Sequence, residues 1–264
     1  MRLLLAGPRR SGLGLAVILA LSAPAARASI VFNWPSPPGW TAGAPTPGQT
    51  KTQSFTSVNP NDITVDINNN GISPLGATWQ TNYPQINSTQ STGGFSGVNG
   101  LQLYVVSQAS IASYIRTTVT FATPVINLSF QLWDVDANVG QFADRISNIQ
   151  ALAQGGGTVG PDSVTSVTPG FNTIAGTGLA TVVLGIANAA NNTNQGSINI
   201  TFNGPVTQFS FDWSNNDVGL GAQAIAIGPL TYDPVPEADS AMSITAVCLS
   251  AILFQKRIRN SRKR

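Results

Sequence analysis

Histidine is absent from all 264 residues, and its absence removes whole classes of chemistry. Nucleophilic mechanisms built on Ser-His-Asp or Cys-His pairs need an imidazole to take the proton, and most zinc sites draw on His or Cys. Cysteine occurs once, as Cys248 in an apolar stretch near the C-terminus, so no intramolecular disulfide can form. Charge is scarce as well: Asp, Glu, Lys and Arg together make up 9% of the chain. Most of the basic residues sit at the two ends. Residues 29–237 hold Lys51, Arg116 and Arg145 against ten acids, a formal charge of −7. A nucleic-acid partner calls for clustered cations that displace phosphate counterions, and this body has none. Lys51 and Glu237 are the single lysine and single glutamate of that stretch, which leaves Asp, Asn, Ser, Thr and aromatic side chains as material for a site.

The ends are better marked than the middle. Met1 to Ala28 has the layout of a secretory signal peptide: Arg2, Arg9 and Arg10, an apolar core from Leu13 to Leu21, then Ala26, Arg27 and Ala28 as a small-x-small site with cleavage after Ala28. The other end reads as three blocks. A polar hinge, Pro234 to Asp239, leads into an expected transmembrane segment, 240–254, whose apolar run is Ala241 to Phe254. Lys256, Arg257, Arg259, Arg262, Lys263 and Arg264 close the chain. A basic flank stays on the cytoplasmic side, so the order predicts a membrane stop with everything before it outside. The run is shorter than the roughly 20 residues that cross a hydrocarbon core. Snorkelling Lys and Arg side chains lengthen the effective span.

Val235, Pro236 and Glu237, followed by a weakly hydrophobic helix and an Arg-rich extreme C-terminus, resemble the PEP-CTERM sorting signal of exported bacterial proteins. Ala238 stands where that family has a second Pro. The resemblance covers residues 233–264 and implies recognition by an exosortase, a membrane-embedded cysteine-type processing enzyme of Gram-negative bacteria that make extracellular polysaccharide. It thus implies transient anchoring in the inner membrane with the C-terminus cytoplasmic, then release to the cell surface or extracellular matrix. Tail anchoring without cleavage is the competing outcome. A looser likeness to the bodies of such proteins runs from Leu101 to Tyr232 and implies no activity.

Between the two ends the periodicity is two. Ile63, Val65 and Ile67 alternate, as do Leu101, Leu103 and Val105, and further runs are Ile115 to Phe121, Val125 to Val135, Ile146 to Ala153, Leu179 to Ile186, Ile198 to Phe202, Val206 to Trp213 and Ala222 to Tyr232. β-branched enrichment with Gly, Pro and Asn at short intervals predicts an all-β body over 29–233, a single β-sandwich or jelly-roll-like domain. Pro124 is expected to separate two of those strands, and the Pro-rich start, 29–50, reads as either a first strand with a long loop or a linker.

One polar constellation stands out. Asp134, Asp136, Asn138 and Asp144 offer oxygen ligands at a spacing that suits calcium. Val139 at the glycine position and Arg145 at the bidentate-glutamate position rule out an EF-hand. The same residues also suit a polar turn in which Asp and Asn cap backbone groups and Asp144 or Asp136 pairs with Arg145. Trp34, Trp40, Trp79, Trp133 and Trp213 offer either flat faces for sugar rings or core packing. The reading is a non-enzymatic exported protein with a structural or adhesive role toward extracellular polysaccharide, needing no cofactor beyond a candidate structural Ca²⁺. A calcium-dependent carbohydrate-binding module is one alternative. A carboxylate glycosidase using Asp134 or Asp136 with Asp144, or Asp212 with Asp217, is another.

Overall fold

A computed structural model describes residues 28–235, apart from 37–38, 61, 71–76, 90 and 109–111. Its strands, in chain order, are β1 (Ile30–Phe32), β2 (Thr50–Phe55), β3 (Ile63–Asn70), β4 (Thr78–Trp79), β5 (Gln85–Asn87), β6 (Gly100–Ser107), β7 (Tyr114–Trp133) and β8 (Ala137–Asn138). They continue as β9 (Phe142–Ala153), β10 (Thr158–Val159), β11 (Ser163–Ser166), β12 (Asn172–Ala175), β13 (Val182–Gly185), β14 (Ile198–Phe202), β15 (Val206–Asn215) and β16 (Gln223–Pro234). Among the described residues the only helix is a 3₁₀ turn, Gly178–Ala180, and none is long and apolar enough to cross a membrane. The expected signal peptide, the Pro236–Glu237 motif, the transmembrane segment and the basic tail lie outside the described residues.

Every pairing is antiparallel, and the 20-residue β7 organises them. Its first half lies between β3, with Val65 opposite Val119, and β15, with Phe209 opposite Val119. Continuing outward gives a first layer in the order β2-β3-β7-β15-β9-β13-β12. Its second half lies between β14, with Ile200 opposite Phe130, and β16, with Leu230 opposite Phe130. That half builds a second layer, β11-β14-β7-β16-β6, with β1 beside β16 and both β4 and β5 on β6. The layers close over one core. Phe130 of the second stacks on Phe209 of the first at 4.3 Å between ring centres, and Phe121 meets Tyr232 edge-on at 5.2 Å. The body is thus an all-β sandwich, each strand sending alternate residues inward: Ile63, Val65, Ile67 from β3 and Leu128, Phe130, Leu132 from β7 are all buried.

Two expectations change, and one choice between alternatives is decided. Pro124 does not split β7, because it sits where the strand exchanges one set of partners for the other and no ladder hydrogen bond is asked of its nitrogen, while its carbonyl accepts from Val235 N–H at 3.4 Å. The register of β15 also shifts there, between Val206 and Gln208. The strand expected from Leu179 begins at Val182, since Gly178 (φ +56°) turns the chain and Thr181 Oγ1–H closes the turn on the Gly178 carbonyl at 2.8 Å. The Pro-rich start is part of the body: Trp34 and Trp40 are buried beside Phe55, and Trp34 Nε1–H donates to the Gly228 carbonyl at 2.9 Å.

Candidate functional site

Three of the four predicted oxygen ligands come together and the fourth does not. β7 ends at Trp133, and Asp134 turns the chain through a left-handed conformation (φ +65°) that Asp tolerates better than most residues. The next residues are stitched down: Val135 N–H donates to the Gly196 carbonyl and Ala137 N–H to the Ala187 carbonyl. Gly185 is required underneath, because a Cβ there would lie 1.9 Å from the Asp136 carbonyl oxygen. Asp134, Asp136 and Asn138 thereby line one cleft of about 200 Å³, together with Asn188, Gln141 and Gln223.

Asp144 lies behind that cleft, fully buried. Its Oδ1 accepts from Trp213 Nε1–H at 2.8 Å and its Oδ2 from the Asp136 backbone N–H at 3.1 Å, so it braces the turn from the core side. Arg145 points the other way, as successive residues of a strand must. Among the described residues the ion pair is instead Arg116 with Asp212, at 2.6 Å.

The electrostatics of the turn are unusual. Burial, then the neighbouring Asp136 charge, raises the Asp134 carboxyl to about 7, against which the Ser91 hydroxyl works by donating to Oδ2 at 2.7 Å. Burial raises Asp136 to about 6, opposed by the Ala189 N–H on its Oδ2 at 2.6 Å. Asp144 is pushed up by burial and by Asp136. Two buried oxygens of residues that line the cleft have no donor: Asp134 Oδ1 and Gln223 Oε1. Gln223 is held in that orientation. Gln108 Nε2 donates to the Ser113 and Trp213 carbonyls, so Gln108 Oε1 must accept, and it does so from Gln223 Nε2 at 2.8 Å. No group of three His, Cys, Asp or Glu side chains converges for metal binding among the described residues.

A second feature was not singled out in the sequence. The outer face of the second layer carries a groove of about 480 Å³ with no charged residue in its lining. Register builds it: Val31 of β1 lies opposite Thr231 of β16, Thr231 opposite Ser129 of β7, and Ser129 opposite Thr201 of β14. One rung along, Gln131 lies opposite Asn199 and donates to its Oδ1 at 2.8 Å. Trp133 Nε1–H donates in turn to Gln131 Oε1 at 2.8 Å. Trp133 points outward like Ser129 and Gln131 yet is fully buried, because the segment 91–100 folds over it. Gly93, Gly100 and Gly228 fit against its indole, where an added Cβ would come within 2.5 to 2.8 Å of the ring. Phe95 sits on the indole at 5.6 Å between centres and remains 45% exposed at the groove end. Trp213 is also fully buried, so both of these indoles serve packing.

The chain matches no protein-family model and no curated protein. Among solved structures it is similar to the carbohydrate-binding module TmCBM27, described for specific mannan recognition, at 14% identity and a TM-score of 0.33, over 64% of this chain and 89% of that one. A family 11 carbohydrate-binding module of a cellulosomal cellulase of Clostridium thermocellum matches at 11% identity and a TM-score of 0.29, over 71% of this chain and 89% of that one. The Clostridium thermocellum family 11 module in complex with a β-1,3-1,4-mixed-linked tetrasaccharide matches at 10% identity and 0.29, over 79% and 97%. Likeness this distant assigns neither ligand nor site residues.

Proposed function

We propose that this is an exported, non-enzymatic, jelly-roll-like β-sandwich that binds uncharged polysaccharide through the outer groove of its second layer and contributes adhesion or structure at the cell surface. The observation that carries the reading is the lining of that groove. A sugar ring offers hydroxyls and an apolar face, and the groove answers with Ser129, Thr231, Thr201, Gln131 and Asn199 in fixed register beside an exposed Phe95. Its volume of about 480 Å³ is within the range of small-molecule clefts. The absence of charge from its lining favours neutral over uronate-rich or sulfated glycans.

Two features argue against a glycosidase. Asp144 has both oxygens committed to protein donors, and Asp212 is buried under Arg116 and Asn148, so neither candidate pair presents two free carboxyl groups to a substrate. Export rests on the signal peptide, and sorting by an exosortase on the PEP-CTERM-like end whose motif is Val235, Pro236 and Glu237.

Affinity electrophoresis against a panel of neutral and acidic polysaccharides tests the reading. Retardation by at least one neutral glycan is expected, with Phe95→Ala and Gln131→Ala each weakening it about 5- to 30-fold, the equivalent of 1–2 kcal/mol. No retardation by any neutral glycan, or retardation unchanged in both variants, overturns it.

A further inference from the structure

The acidic cleft and the groove are joined through one short segment. Ser91 donates to Asp134, Thr92 N–H donates to the Asn191 carbonyl at 2.8 Å, and four residues after Ser91 the same segment lays Phe95 over Trp133. Trp133 is the residue immediately before Asp134. Whatever fixes the Asp134 turn therefore also fixes the aromatic wall of the groove.

Two acceptors on residues that line the cleft have no partner in the protein. Asp134 Oδ1 is unpartnered on a residue that is 6% exposed, and Gln223 Oε1 is unpartnered on a residue that is 2% exposed. The two residues stand 89 positions apart in sequence, and the second belongs to no acidic cluster. The hydrogen-bond chain through Gln108 fixes which end of the Gln223 amide is left over. Beside them stand the Asp136 carboxylate and the Asn138 amide. Leaving a buried acceptor unpaired costs about 1–3 kcal/mol, and one cation coordinated by oxygen would satisfy two such acceptors on residues lining the same cleft.

We propose that this cleft binds a hard divalent cation, of the size and ligand preference of Ca²⁺, through Asp134 Oδ1, Gln223 Oε1, Asp136 and Asn138, and that the bound ion braces the segment 91–95 and with it the Phe95 wall of the groove. Calcium takes six to eight oxygen ligands at flexible geometry, and two carboxylates with two neutral amides supply part of that shell, the remainder being water or backbone carbonyl. Mg²⁺ demands a tighter octahedron and suits the cleft less well. Two carboxylates place the site among the weaker extracellular calcium sites, with Kd on the order of 10⁻⁴ to 10⁻³ M. The link to Phe95 rests on the proposed glycan reading, whereas cation binding does not.

The experiment separates the two. The protein freed of metal with chelator is titrated with CaCl₂ or MgCl₂ in the absence of glycan, following the melting temperature and amide hydrogen exchange. A saturable rise in melting temperature with Ca²⁺, at least tenfold weaker with Mg²⁺, is expected, together with slowed exchange at Thr92 and Phe95. Asp134→Asn should abolish the response, and Asn138→Asp, which adds a carboxylate at the half-buried rim, should tighten Ca²⁺ binding about tenfold. The second variant keeps the test decisive if the first fails to fold. No Ca²⁺ response in the wild-type chain, or an unchanged affinity in Asn138→Asp, overturns the site. A Ca²⁺ response without any change at residues 91–95 overturns the bracing. Glycan retardation that is unaffected by chelator overturns the bracing while leaving the groove intact.

Discussion

Replacing Asp134 by Asn should flatten the pH dependence of stability of the metal-free protein. In the folded chain the Asp134 carboxyl, pushed up by burial and by Asp136, keeps its proton to about pH 7, whereas in the unfolded chain it titrates near 3.8. Between those values the unfolded state binds fewer protons than the folded one, so stability falls as pH rises. The loss begins near pH 4 and is complete above about 7. A displacement of about three pK units corresponds to about 4 kcal/mol, of which about 3 kcal/mol is lost between pH 5 and 8. For a domain of this size the full amount is about 8–16 °C in melting temperature. Asp136 and Asp144 are raised as well and act in the same direction. Asp62, Asp217 and Asp233 are lowered, so what they contribute is lost only as pH falls below about 4, outside this window. The assay is urea unfolding followed by tryptophan fluorescence from pH 5 to 8 in excess chelator. The wild-type chain should lose stability steadily, and Asp134→Asn should lose about 3 kcal/mol less across the range. A wild-type profile that is flat or rises from pH 5 to 8 would refute the assigned burial and charge crowding of the turn.

Two further outcomes follow from the fold and the termini. Phe209→Ala removes the ring that stacks on Phe130 between the layers and should cost about 3–5 kcal/mol in urea unfolding; a cost below 1 kcal/mol would mean the layers do not meet there. Mass spectrometry of the surface-exposed protein should find residues after the Pro236–Glu237 hinge removed if an exosortase processes it, whereas an intact Arg264 would sink processing.

The alternating strands were legible because one face of each is buried, as in Ile63, Val65, Ile67 or Leu128, Phe130, Leu132. Among the strands that the alternation does not mark, β2 with Thr-Lys-Thr-Gln-Ser-Phe and β11 with Ser-Val-Thr-Ser lie at layer edges where few residues are buried, so they carry no hydrophobic amplitude. The sequence of β7 reads as two strands because a proline ordinarily breaks a ladder, and nothing local says that the ladder partners change at that point. Asp134, Asp136 and Asn138 could be found since they are adjacent in sequence. Asp144 fits the same spacing, but Trp213 claims its carboxylate from 69 residues away. Gln223 reaches the cleft from β16, and the groove depends on the register of Thr231, Ser129 and Thr201 across three strands. Outward Ser and Thr look the same in sequence whether they face bulk water or line a groove, so the groove only appears once register is known.

The most direct measurement of the central claim is mapping of backbone amide NMR shifts while a neutral oligosaccharide that retards the protein is titrated in. The account predicts shifts concentrated at Ser129, Gln131, Asn199, Thr201, Thr231 and Phe95. Shifts concentrated elsewhere, for instance around Trp79 and Tyr83 on the cleft beside β4, with the outer face of the second layer unchanged, would contradict it.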